Sequence, residues 1–323
     1  METIDELESG AVPLTIQSEY LWNLSPNQKR EKNMKNFVLD LWRKFQNKFK
    51  FQHKTLIHIE GGLGSQILGS IAFFNAQDKF GIKDAKCDLS YFSHHSRTDL
   101  WEWNLHKYGI GIEDLRKFES HRKLDLLKAK KDFLTDLEIS QEYWKNSRSK
   151  YLDRFPINEE QLHDFLNKAS EKSNLTGYGA VHIRRGDYLQ VASKVIGLDE
   201  YIRFLEKIKT VLPKPCFIIT DSLLTYEDKQ HLERAMGADS EAIFLDSPGH
   251  DPFVLHCLMR RADVLITSNS TFSFSAGLLG KNGQIVFSPL EFHAGKDSEK
   301  YNRTFRSVGS FTSWSLDNSR GTI

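Results

Sequence analysis

Apolar and polar positions repeat with two different periods along this chain, and the second half is the more regular. Tyr178–Ile183 is a short, nearly continuous apolar run that predicts a buried strand. A helix follows near Asp199–Leu212, where Asp199 can cap and Tyr201, Phe204, Leu205, Ile208 and Leu212 form one face before Pro213 and Pro215 end it. Next come a strand at Cys216–Thr220, a helix at Tyr226–Met236 and a strand at Ala242–Leu245. A helix over 251–262, a strand Val264–Thr267, a helix over 271–280 and a strand Gln284–Phe287 complete the series. Strands and helices alternating at these lengths predict a parallel sheet with right-handed crossovers, a Rossmann-like domain.

The first half is less regular. Thr55–Glu60 predicts a strand, Gly61-Gly62-Leu63-Gly64-Ser65-Gln66 a glycine-rich turn, and Ile67–Lys79 a helix. Glycines there let backbone N–H groups approach a ligand or let the helix pack closely, and a tight structural turn is an equal reading. The segment lacks the third glycine of a dinucleotide fingerprint and the Lys-Ser/Thr of a phosphate loop. Residues 90–170 read as mostly helical and polar, with Trp101, Trp103 and Trp144 as anchors. The expected organisation is an arm and basic helix over 1–54, one α/β domain over 55–175, a second over 176–300 and a tail over 301–323.

Composition narrows the function class. The chain has 323 residues, enough for one large or two medium α/β domains, with 39% hydrophobic residues and a formal net charge of +1. That balance argues against a nucleic-acid binder, which would show a strongly basic domain. Cys87, Cys216 and Cys257 are far apart and form neither a disulfide framework nor a zinc spacing, which fits a reducing cytoplasm. No run reaches the ~18 apolar residues of a membrane span, and the acidic start does not resemble a signal peptide. Against this background residues 29–54 stand out, with nine Lys or Arg, two acidic residues and an apolar stripe through Phe37, Leu41, Trp42, Phe45 and Phe49. Two readings are open for this helix: peripheral contact with an anionic membrane, or packing on its own domain, which is the commoner outcome.

Candidate chemistry lies where strands end. His182-Ile183-Arg184-Arg185-Gly186-Asp187 closes the first strand of the regular half. Arginine presents a planar fork that matches phosphate oxygens and stays charged at any working pH, so the pair reads as a clamp for a phosphate leaving group. The competing reading is an Arg–Asp network that closes a turn. Ser268-Asn269-Ser270-Thr271-Phe272-Ser273 stands between a strand and a helix, as an anion site or as a simple N-cap. Asp221 and Ser222 end a third strand. Asp221 and Asp251 are candidates for pairing with base or ribose donors, or are caps and surface residues. Three polar strand ends on one sheet edge favour a nucleotide site.

These segments resemble a known family. His182 to Asp187 resembles the H-x-R-R-G-D motif of α-1,2-fucosyltransferases, which is related to a motif of α-1,6- and protein O-fucosyltransferases. Gly61 to Gln66 resembles their opening G-G-L-G-N-Q, and Asn269 to Ser273 matches their N-S-T-F-S. The resemblance implies two Rossmann-like domains facing across a cleft (the GT-B arrangement), GDP-fucose as donor, inversion at the sugar carbon and no metal or other cofactor. It also implies that Arg184 or Arg185 binds the β-phosphate, that His182 lies beside the nucleoside and that Ser270 and Thr271 contact phosphates. Gly61, Gly62, Gly64, Ser65 and Gln66 would line the cleft.

The chain departs from the family pattern in three places. Ser65 replaces Asn, Phe274-Ser275 replaces a Trp pair, and Leu255 stands where a carboxylate is expected. The expected activity is transfer of fucose to a glycan hydroxyl, with acceptor and linkage open. Arg184, Arg185 and Asp187 are the expected catalytic residues. His182, Asp221, Ser222, Asp251 and Ser268 to Phe272 are the expected donor contacts. Another nucleotide-sugar donor, or a non-catalytic nucleotide- or glycan-binding role, are the alternatives. The expected location is cytoplasmic, at most peripheral to a membrane.

Overall fold

The structure is a computed structural model that describes residues 56–78, 86–93, 102–117, 151–170, 175, 177–190, 195–247, 249–289 and 311–314. The chain divides into Met1–Lys54 and Thr55–Ile323. The basic helix expected at 29–54, Trp101 and Trp144 lie outside the described residues.

Two separate parallel sheets with interleaved helices make a two-part GT-B architecture. The small sheet pairs β1 (Leu56–His58) with β2 (Lys86–Asp88), and α1 (Leu63–Asp78) follows β1. After β2 come α2 (Ile112–Arg116) and α3 (Glu159–Ser170). The large sheet is built from β3 (Gly179–Ile183), β4 (Cys216–Thr220), β5 (Ala242–Leu245), β6 (Val264–Ile266), β7 (Ile285–Pro289) and β8 (Phe311–Trp314). Between them run α4 (Leu198–Ile208), α5 (Tyr226–Met236), α6 (Pro252–Arg261) and α7 (Thr271–Leu278).

The spatial order is β5-β4-β3-β6-β7-β8 and every neighbouring pair is parallel. The chain winds outward from β3 to β5, crosses back, and winds outward the other way from β6. The strand order therefore reverses between β3 and β6.

Period-2 alternation assigns the two faces of this sheet. Val181, Ile183, Ile218 and Ile266 pack with Tyr201, Phe204, Leu205 and Leu232 of α4 and α5. Ala180, Phe217, Ile219 and Leu265 pack on the opposite face, in a core that includes Leu258 of α6 and Phe274 of α7. That second core runs without interruption into Ile57, Ile59, Ile67 and Ile71 of the small sheet and α1. Tyr108 lies in the same core, edge-on to Phe155 and Phe253. Arg260 is buried there too. Its Nε donates to the Leu279 carbonyl at 2.9 Å and its Nη1 to the Phe155 carbonyl at 2.8 Å, and its guanidinium lies 5.6 Å from the centre of the Tyr108 ring.

Three local features differ from the sequence-based expectation. Helix α4 is capped by the backbone of Gly197, with Asp199 inside its first turn, where a carboxylate meets the positive end of the helix dipole. Helix α1 begins at Leu63 rather than Ile67, because Gly61 at φ 76° reverses the chain at one residue. The sheet also reaches past residue 300, since Phe311–Trp314 forms its edge strand.

Candidate functional site

The crevice outside the carboxyl ends of β3 and β6 lies where the strand order reverses, the usual ligand position in an open α/β sheet. Two of the three motifs open into it directly.

The arginine loop is a braced structure. Asp221, at the end of β4, accepts from the Arg185 N–H at 2.8 Å through one oxygen and pairs with Arg184 Nη1 at 2.5 Å through the other. Asp187 holds the second terminal nitrogen of Arg184, and the Tyr188 ring lies 5.1 Å from that guanidinium. Ser222 Oγ accepts from the Gly186 N–H at 3.1 Å. A Cβ at Gly186 would stand 2.3 Å from Asp221 Oδ2, so the brace requires glycine there. Arg185 differs from its neighbour. Its guanidinium makes no ion pair among the described residues, and its buried Nε has no hydrogen-bond partner. Arg184 is thus aimed by two carboxylates, while Arg185 keeps its charge available for an anion.

The hydroxyl segment divides similarly. Ser268 Oγ shares a hydrogen bond with His182 Nδ1 at 2.8 Å, and its N–H donates to Ser273 Oγ at 3.2 Å. Ser270 caps α7 by accepting from the Phe272 N–H at 3.3 Å. Ser268, Asn269, Ser270 and Ser273 are all buried, whereas Thr271 is half-buried. His182 lies on the α6–α7 face of β3, edge-on to the Phe272 ring at 5.5 Å. Burial, reinforced by Arg184, pushes its pKa down to about 3, so the ring is neutral at working pH.

The glycine turn reaches this segment from the small sheet. A Cβ at Gly64 would lie 2.4 Å from the Phe272 nitrogen and 2.4 Å from the Thr271 carbonyl carbon, so α1 begins in backbone contact with α7. Ser65 Oγ meets Thr271 Oγ1 at 3.1 Å. Gln66 faces inward: it donates to the carbonyls of Gly61 and Glu102 at 2.8 Å each and accepts from the Asn104 N–H at 2.9 Å. The Gly62 carbonyl accepts from the Gln66 N–H at 3.0 Å.

The structure therefore forms two contact networks at the ends of neighbouring strands: Arg184, Arg185, Asp187, Asp221 and Ser222 in one, and His182, the 268–272 segment, Gly64 and Ser65 in the other. Asp251 stands apart from both, as the N-cap of α6, accepting from the Phe253 N–H at 2.9 Å and pairing with Lys107 at 2.7 Å.

Two polar chains were not anticipated from the sequence. Tyr108 Oη meets His256 Nδ1 at 2.6 Å, and His256 Nε2 meets Ser275 Oγ at 3.0 Å, all buried. His58 meets Asp88 and Glu60 through its two ring nitrogens. The sequence signal was slight: a Ser in place of Trp at 275 hints at a buried polar partner, and His58-x-Glu60 has same-face spacing on a strand. Among the described residues no group of three His, Cys, Asp or Glu side chains is placed to hold a metal ion. None of the described helices is long and apolar enough to cross a membrane.

Among solved structures, the chain is similar to POFUT1 in complex with GDP-fucose (14% identity, 73% of this chain and 97% of that one, TM-score 0.39). It is also similar to E. coli heptosyltransferase WaaC with ADP-2-deoxy-2-fluoro heptose (10% identity, 81% of this chain and 93% of that one, TM-score 0.33). A search of curated proteins gives no match. Family assignment rests instead on a sequence profile: that of glycosyl transferase family 11 matches residues 14–307. The chain belongs to glycosyl transferase family 11, the α-1,2-fucosyltransferase-like group with the GT-B fold, and is a glycosyltransferase.

Proposed function

We propose that this enzyme transfers fucose from GDP-fucose to a hydroxyl of a glycan acceptor, with inversion, in an α-1,2 linkage and without a metal ion. The observation that carries the proposal is that the braced arginine loop follows β3 and the α7 N-terminus follows β6, the neighbouring strands between which the strand order reverses. In such a transfer the sugar–phosphate bond breaks early and negative charge grows on the β-phosphate. Arg185 supplies an unpaired guanidinium, Arg184 a second one aimed by Asp187 and Asp221, and α7 the free N–H groups and dipole of its first turn. Thr271 is the half-buried hydroxyl at that helix end, and it contacts the phosphates. These fixed donors do the work that a bound cation does elsewhere, and losing one such donor typically costs on the order of 10²–10³ in rate.

His182 stays neutral beside the nucleoside and acts as a hydrogen-bonding wall, since protonation next to Arg184 is unfavourable. Asp221 and Ser222 act beneath the loop as its support. Residues 29–54 are assigned to peripheral contact with an anionic surface or to packing on the protein, and vesicle co-sedimentation at low and high salt separates the two.

The test is calorimetric titration with GDP, UDP and ADP, followed by product analysis with GDP-fucose. Tighter binding of GDP, and a product of inverted anomeric configuration, are expected. A site that hydrogen-bonds one base rejects others by factors that reach ~10⁴. UDP binding as tightly as GDP would remove the fucose assignment.

A further inference from the structure

The buried chain Tyr108–His256–Ser275 joins three elements: Tyr108 comes from the 3-10 turn at 105–108, His256 from α6 and Ser275 from α7. Its direction follows from the groups present. The Phe272 carbonyl can only accept, so Ser275 Oγ gives its one proton to it, at 3.0 Å. Toward His256 the same hydroxyl then accepts, and the 3.0 Å contact places a ring proton on Nε2. Burial, reinforced by the charge of Arg260, holds His256 well below its ordinary pKa, so the ring carries that proton alone. Nδ1 keeps its lone pair and accepts from the Tyr108 O–H at 2.6 Å. All the contacts agree on one tautomer and one orientation of the imidazole.

The chain ends on Phe272, and it holds that residue twice. Ser275 binds its carbonyl, and the His256 ring lies 5.5 Å from its ring. The Phe272 ring also lies 5.5 Å from His182, the residue assigned to the nucleoside. Gly64 crowds the Phe272 nitrogen, where a Cβ would lie 2.4 Å away. Phe272 is the second residue of α7 and follows Thr271, the hydroxyl assigned to the phosphates. A shift of Phe272 therefore moves that hydroxyl and the N–H groups of the first turn. A fully satisfied buried polar network rigidifies what it touches, because each group left unpaired there is costly.

We propose that His256 is a positioning residue of the transfer: through Ser275 and the Phe272 ring it fixes the first turn of α7 against the donor phosphates; this rests on the transferase reading above. Tyr108 anchors the imidazole from the turn at 105–108. His256 itself touches neither donor nor acceptor. Its part is to keep the α7 donors where charge grows on the β-phosphate, so its removal acts on the chemical step.

Two substitutions of His256 separate this role from a contribution to stability, because each keeps the place of one ring nitrogen and both lose the ring. In His256→Gln the amide nitrogen reaches the place of Nε2 and can still donate to Ser275. The shorter side chain of His256→Asn reaches the place of Nδ1 and meets Tyr108 alone. In the full-length chain both variants are expected to melt below the wild type, at similar temperatures. His256→Gln should keep most of the wild-type kcat for GDP release from GDP-fucose. His256→Asn should lose at least ~10-fold in kcat with less change in KM, since the lost interaction strengthens in the transition state. Tyr108→Phe and Ser275→Ala repeat the comparison with smaller changes: the first should lower mainly the melting temperature, the second kcat. Rates are compared well below the lowest melting temperature, where a role in stability alone leaves kcat equal within each pair. Equal kcat in either folded pair would overturn the proposal, as would a larger loss in His256→Gln or Tyr108→Phe. If wild-type protein neither binds GDP nor releases it from GDP-fucose, the donor assignment itself fails, and the wild type alone reveals that failure.

Discussion

Replacing Gly64 by alanine adds one methyl group where α1 begins against α7. The added carbon would lie 2.4 Å from the Phe272 nitrogen, 2.4 Å from the Thr271 carbonyl carbon and 2.5 Å from the Phe272 Cα. Non-bonded heavy atoms settle at about 3.5 Å or more, so the deficit is about 1 Å. All three opposing atoms are backbone, and no rotamer change relieves the clash; one helix end must move. Overpacking of this kind typically costs about 1–3 kcal/mol, or roughly 2–6 °C of melting temperature in a domain of this size. The movement also displaces the first turn of α7, and a 1 Å misplacement at a reacting centre can cost about 10²-fold in rate. Thermal melting and turnover of GDP-fucose should therefore both fall in Gly64→Ala. Gly69→Ala, on the same helix, is the control: its methyl would meet the Ile59 Cγ1 atom at 3.1 Å, a side-chain contact that can give way. Wild-type melting and turnover in Gly64→Ala would refute the backbone contact between the two helices.

Three further outcomes follow from the site. Arg185→Lys keeps the charge but loses the fork, and turnover is expected to fall by at least ~10²-fold; Arg184→Lys also loosens the Asp187 and Asp221 brace. Near wild-type rates in both variants, measured by GDP release, would contradict the phosphate clamp. Activity is expected to survive a chelator, and loss that added magnesium or manganese restores would place a cation in the reaction. Burial holds His182 at about 3 and His256 well below its ordinary value. In the unfolded chain both protonate near pH 6.5, so the stability they confer is complete above that pH and is lost as pH falls toward 3. The slope is about 1.4 kcal/mol per pH unit for each ring. Melting temperatures should decline from pH 6.5 to 4.5, and a flat profile there would mean that the rings are already charged in the native protein.

The regular half was legible almost residue by residue. Strands Cys216–Thr220 and Ala242–Leu245 and helix Tyr226–Met236 stand where apolar period and terminators put them. Thr225 and Asp228 add a reciprocal cap to that helix, and Gly237 ends it. Strands β2 and β8 were not legible, because three or four residues carry too little periodicity and their strand character comes from a distant neighbour. The arginine motif was visible, but its mechanics were not. Asp221 lies 36 residues from Arg185, and only the pairing of β3 with β4 reveals that it supports the loop from below. Gly64 likewise read as a turn glycine, although its role is set by a helix more than two hundred residues later.

The buried Arg260 bears on how the protein comes apart. Its charge is answered by a carbonyl from the segment before α3 and by another at the end of α7, with a ring from the 3-10 turn at 105–108 beside it. If either region melted alone, the guanidinium would lose one of its two carbonyl partners inside apolar surroundings, an uncompensated burial that is costly. Partial unfolding is therefore suppressed, and the part of the chain around Tyr108 and Phe155 should be lost in the same thermal transition as the large sheet. The same tie limits what recombination can do with this fold. A donor half grafted onto the acceptor half of a relative would carry Arg260 and its Leu279 partner but leave the Phe155 carbonyl and the Tyr108 ring behind.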